Sequence, residues 1–150
     1  MGAVSQFELG TDGPSLILAA VDGSTTSLRA GAYAVGLARR QRSELVVITV
    51  TTTPALSGMS ADAVTVLAES AQELASDLHE QAKEYLRRIE MEARLIAVHG
   101  DPYIEIVRAA DELRADAVVV GASMKAGHRF VGSLAGRLIK AGKWPVTVVP

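Results

Sequence analysis

The sequence predicts an α/β fold, a doubly wound five-stranded parallel sheet with helices on both faces, and three observations carry that expectation. Short apolar runs alternate along the chain with longer amphipathic stretches, the pattern of strand–helix–strand units joined by right-handed crossovers. Most of the runs are continuously apolar, as in parallel strands buried on both faces. Aromatic residues make up only 4% of the chain while hydrophobic residues reach 49%, so the core is aliphatic. A chain of 150 residues suits one domain.

In chain order, residues 1–15 are rich in glycine and polar types and read as a flexible leader before a domain spanning 16–150. Leu16–Val21 is a buried strand closed by the turn Asp22-Gly23-Ser24. Ser24 or Thr25 caps a helix that runs to about Arg40 on Leu28, Ala32, Val35 and Ala38. Leu45–Val50 is the second strand, and Thr51–Gly58, which contains Pro54, is a loop. A long helix follows from Ser60 to about Glu90. Its stripe of Val64, Leu67, Ala71, Leu74, Leu78, Ala82, Tyr85 and Ile89 is expected to pack on the core. Arg94–His99 is a third strand, and Gly100-Asp101-Pro102 opens a helix ending near Arg114. Ala117–Val120 is a fourth strand, and residues 121–132 form a glycine-spaced loop. A helix on Leu134, Leu138 and Ile139 stops at Gly142, and Pro145–Val149 is the last strand.

Several function classes are excluded or disfavoured. The absence of cysteine removes disulfide scaffolding, thiolate catalysis and cysteine-ligated zinc. A net charge of -2 argues against a nucleic-acid partner held by broad phosphate neutralisation. No stretch reaches the roughly 18–20 apolar residues that span a bilayer, and Met1–Pro14 lacks the basic and apolar regions of a signal peptide. A cytoplasmic setting without membrane contact is the expectation.

In a doubly wound sheet, ligands bind beyond the carboxyl ends of the strands, where strand order reverses. Asp22, Val50, Thr51, His99 and Gly121 stand at such ends. The segment from Gly121 to Ser133 runs from a strand end to a helix start and carries Gly127, Gly132, Lys125, His128 and Arg129. Glycines admit close approach of backbone amides to a phosphate, and a helix N-terminus supplies unpaired N–H groups and a positive dipole end. The same glycines also serve a turn alone, and the basic residues also suit a solvated tip, so the loop by itself leaves both readings open. It departs from a P-loop because Leu134 follows Ser133 and no lysine precedes the hydroxyl. His79, His99 and His128 lack metal-ligand spacing, and no nucleophile–base pair or carboxylate pair stands out.

Three signatures, in this order and spacing, resemble the universal stress protein family over Leu16–Pro150. They are the apolar strand into Asp22-Gly23-Ser24; His99-Gly-Asp-Pro102 leading to Ala115-Asp-Ala-Val-Val-Val-Gly-Ala122; and Val131-Gly-Ser-Leu-Ala135 before Trp144-Pro-Val-Thr-Val-Val-Pro150. The resemblance implies a dimeric five-stranded domain of a family in which one branch binds ATP through Gly-x2-Gly-x9-Gly-Ser/Thr and another does not. Gly121 matches the first glycine, and Gly132-Ser133 match the closing pair. Met124 replaces the second glycine, and only seven residues separate it from Gly132. Carried over residue by residue, the pattern assigns Asp22 to adenine or ribose and Val50 to the base. It assigns Gly121 to ribose or phosphate, and Gly132 and Ser133 to phosphates. Lys125, Gly127 and Arg129 are the groups available to compensate for Met124. The expectation is a stress-response regulatory protein that binds ATP, AMP or another adenine nucleotide, with magnesium accompanying the phosphates and at most slow hydrolysis. It would act by ligand-dependent conformation or through a regulatory partner. A nucleotide-free homodimer working through protein contacts is the alternative, and the terminal strand Val146–Val149 is the expected dimer edge.

Overall fold

The computed structural model describes residues 13–52, 58–125 and 128–150; for 124, 125 and 128–130 only the backbone is described. Five strands, β1 (Leu16–Ala20), β2 (Glu44–Thr51), β3 (Arg94–His99), β4 (Ala117–Gly121) and β7 (Val146–Val149), form one parallel sheet in the order β3-β2-β1-β4-β7. The chain builds outward from β1 to β2 and β3, then crosses back to β4 and β7. Strand order therefore reverses between β1 and β4. Helices α1 (Thr25–Gln41) and α2 (Ala61–Arg88) cover one face, and α3 (Pro102–Leu113) and α4 (Ser133–Ala141) the other.

Alternate residues of each central strand feed two cores. Leu18, Val46, Ile48 and Val118 meet Ile106 and Leu138, while Ile17, Leu45, Val47 and Val119 meet the small residues Ala30, Ala34 and Ala38 of α1. Each such aliphatic side chain, fully buried, contributes about 1.5–3 kcal/mol. At the amino edge Asp116 accepts from the Ser15 and Leu16 amides (2.8 and 3.0 Å), tying β4 to the entry of β1. The His-Gly-Asp-Pro signature is a helix start: Gly100 takes φ +153°, Asp101 caps the Ile104 amide at 3.0 Å, and Pro102 opens α3.

Two expectations need correction. The segment expected as a plain glycine loop contains an antiparallel hairpin, β5 (Ser123–Lys125) with β6 (His128–Phe130), in which Met124 faces Arg129. Three residues a side are too few to show an alternating pattern. The stripe on the long helix is not core throughout: none of its eight residues is fully buried, Leu67, Leu74 and Tyr85 are 36%, 66% and 37% exposed, and the helix buries Ala75 and Leu86 instead. At 1.5 Å per residue the helix outreaches the strands beneath it. Leu78 already packs beside Gly23 at the carboxyl rim, so the turns before it project past the sheet.

Candidate functional site

A cavity of about 660 Å³ opens at the carboxyl rim where strand order reverses. Its wall comes from the ends of β1, β2 and β4 and the first turns of α1 and α4. Of the residues singled out from sequence, Asp22, Val50, Gly121, Gly132 and Ser133 all line it. His99 does not; it faces Thr51, with Nδ1 3.1 Å from the hydroxyl. Lys125 lies in β5 and Arg129 in β6, with only their backbone described, and Gly127 lies outside the described residues.

Asp22 is held in place by the start of α1. Its Oδ1 accepts from the Ser24 amide at 2.9 Å, and its own amide donates to Ser27 Oγ at 3.1 Å. Burial pushes the carboxyl pKa up, but hydrogen bonds from Ser24 and Ser27 outweigh it and hold the group below the usual carboxylate value. Asp22 is thus an anionic acceptor at neutral pH, suited to hydroxyl or amino donors of a ligand. The floor is apolar: Ile48, Val50, Ile106 and Val120.

The four helices differ at their N-termini. Ser24, Ser60 and Asp101 accept from the third amide of α1, α2 and α3, whereas α4 begins at Gly132, which offers no side-chain cap. The first-turn amides of α4 therefore stand beside the cavity with the positive end of the helix dipole.

Both glycines prove tighter than a phosphate loop requires. A Cβ on Gly121 would lie 2.5 Å from Ser27 N and the Thr26 carbonyl carbon, so this glycine lets β4 touch the backbone of α1. Thr26 locks the same contact by donating to the Ala122 carbonyl at 2.5 Å. Gly132 has φ -73°, which any residue adopts, and the space its Cβ would take is held by Ser123. Sequence reasoning gave no role to Thr26, Ser27 or Ser123. Only Ser27, three residues beyond the capping Ser24, left a signal, since that spacing marks the amide a cap engages. Among the described residues no three His, Cys, Asp or Glu side chains group as metal ligands.

Comparison with known proteins agrees with this architecture. The universal stress protein family matches residues 15–150. A universal stress protein of Methanocaldococcus jannaschii is 31% identical over 140 residues, covering 89% of this chain and 80% of the relative. A crystal structure of a protein of that family from Burkholderia pseudomallei superposes with a TM-score of 0.74 at 25% identity, covering 91% of this chain and 96% of the other. A universal stress protein solved in complex with cAMP gives 0.68 at 24% identity, covering 91% and 97%, a likeness of fold.

Proposed function

The chain belongs to the universal stress protein family, and from that premise we propose that its rim cavity binds an adenine nucleotide and that occupancy regulates a partner or the protein's own conformation. The observation that carries the proposal is the uncapped start of α4 at Gly132 and Ser133, lining the same cavity as the anionic Asp22. Phosphate belongs at the amides of α4, the nucleoside toward Asp22, and the base over Val50. A volume of about 660 Å³ lies within the range usual for small-ligand sites. The cAMP complex of a protein with this fold supports the same class of ligand.

Within that class we favour a monophosphate over ATP. The hairpin engages some of the amides between Gly121 and Gly132 in its own ladder, so they are not free to wrap a triphosphate. With ATP, magnesium would rest chiefly on the phosphates, since Asp22 is the single carboxylate among the described residues of the wall. The lowered pKa of Asp22 makes it a weak base, which suits holding a nucleotide rather than hydrolysing it. Calorimetric titration tests the proposal. AMP or cAMP is expected to bind at one site per chain, at least as tightly as ATP; no uptake at millimolar concentration would refute it.

Dimerisation is a second part of the proposal. Strand β7 stands at the sheet edge, and an unpaired edge invites a second copy. Sedimentation is expected to give a species of twice 15.7 kDa that Val148→Lys disrupts. No described helix is long and apolar enough to cross a membrane, and a reducing, cytoplasmic setting suits a chain without cysteine.

A further inference from the structure

The opposite face of the sheet carries a second cavity, of about 250 Å³, between α1, α2 and the floor of β2. Its lining is apolar, with Val35, Val47, Leu78 and Leu86 prominent, and none of the described residues lining it is charged. Thr49, His79, Gln81 and Tyr85 bring polar groups to this surface. Thr49 Oγ1 and His79 Nε2 are both buried, and neither has a hydrogen-bond partner among the described residues. Thr49 is only 4% exposed. Buried hydroxyls and ring nitrogens nearly always have partners, because water stripped from them must be replaced. Two such orphans on the wall of one cavity point to something that belongs between them.

The chemistry of the two atoms narrows what that is. Nε2 is the His79 nitrogen left without a partner. In a neutral ring Nε2 donates or accepts, according to the tautomer. Burial, followed by the charge on Lys83, lowers the imidazole pKa and favours that neutral form. The Thr49 hydroxyl donates or accepts. Water fills such a space poorly: about eight molecules at ~30 Å³ each, wanting about three hydrogen bonds apiece, would meet a mostly apolar wall on which Thr49, His79, Gln81 and Tyr85 are the polar side chains among the described residues. A hydroxyl on an apolar body both donates and accepts, so it suits atoms of this kind while its body covers the apolar lining.

We infer that this cavity is a binding site for a small uncharged organic molecule of the phenol or alcohol class, its apolar body between α1 and α2 and its hydroxyl held by Thr49 and His79. Leu28 and Tyr85, 48% and 37% exposed, line the cavity and mark its entrance from solvent. The two cavities share only Val21 among their described residues, so this site does not require a nucleotide in the other.

The test is titration of the full chain with p-cresol and with toluene, its analogue lacking the hydroxyl, followed by amide and imidazole chemical shifts. Saturable p-cresol binding is expected, with shifts at Thr49 and His79 and toluene weaker by about tenfold. Thr49→Val should raise the melting temperature, because a methyl group replaces an unpartnered hydroxyl of the same shape, and should narrow the gap between the two ligands. Ala82→Phe, which fills the cavity from α2, should abolish the shifts. The inference is overturned if toluene binds as well as p-cresol, if Thr49→Val lowers the melting temperature, or if nothing saturates below about 10 mM.

Discussion

Helices α1 and α4 both begin at the carboxyl rim with the dipeptide Gly-Ser, at Gly23-Ser24 and Gly132-Ser133, yet a shift of one residue separates their roles. In α1 the serine is the cap: Ser24 Oγ accepts from the Ser27 amide at 3.3 Å, and Asp22 and Thr26 finish the turn. In α4 the glycine is the cap, and Ser133 is already the first helical residue. One turn is capped by the chain's own side chain, while the other has no side-chain cap. A glycine cap costs only a few tenths of a kcal/mol more than serine, so leaving α4 open is inexpensive. The same residues thus give a capped or an uncapped helix start, according to where the helix begins.

The closed side should break most visibly at Gly121. Gly121→Ala drives a Cβ into the backbone of Thr26 and Ser27, and the overpacking should cost about 3 kcal/mol in chemical denaturation. A loss below about 1 kcal/mol would mean that β4 and α1 are not locked together.

Next in size is the open side. Gly132→Ala collides with Ser123 and should shift the first turn of α4, weakening AMP about tenfold, the value of one lost hydrogen bond. Adding Ser123→Gly removes the collision and should restore binding. Calorimetry on both variants decides it; persistent weakness in the double variant would place the effect in the ligand's own space instead.

The smallest effect separates the two caps. Ser24→Ala should lower stability by about 1 kcal/mol, and Ser24→Gly by only a few tenths, as thermal unfolding would record. Equal losses would show that the Ser24 side chain does not cap α1.

Much of this was legible in the sequence, and what escaped has a physical reason. Short, β-branched runs such as Leu45–Val50, alternating with amphipathic stretches, suit buried parallel strands, and Asp101-Pro102 announced a helix start, so the sheet and its rim followed. Five of the eight candidate site residues converge on one cavity, because strand ends in this topology share a rim. The exposure of Leu74 was not legible, since amphipathic spacing gives the direction of an apolar stripe but not whether a neighbour meets it. The reasons for Gly121 and Gly132 were hidden too. Each depends on an atom brought close by the fold, a backbone amide of α1 in one case and the Ser123 side chain in the other.

The central claim is that the free amides of α4 hold a phosphate, and Ser133→Pro tests it most directly. Proline at the first helical position removes one N–H while suiting the helix, and Gly132, at φ -73° and ψ 176°, already has the extended backbone that precedes proline. Ser133→Ala controls for the hydroxyl. Calorimetry should show AMP weakened about tenfold by Ser133→Pro relative to Ser133→Ala, with adenosine binding the same in both. Equal AMP affinity in the two folded variants would contradict the account.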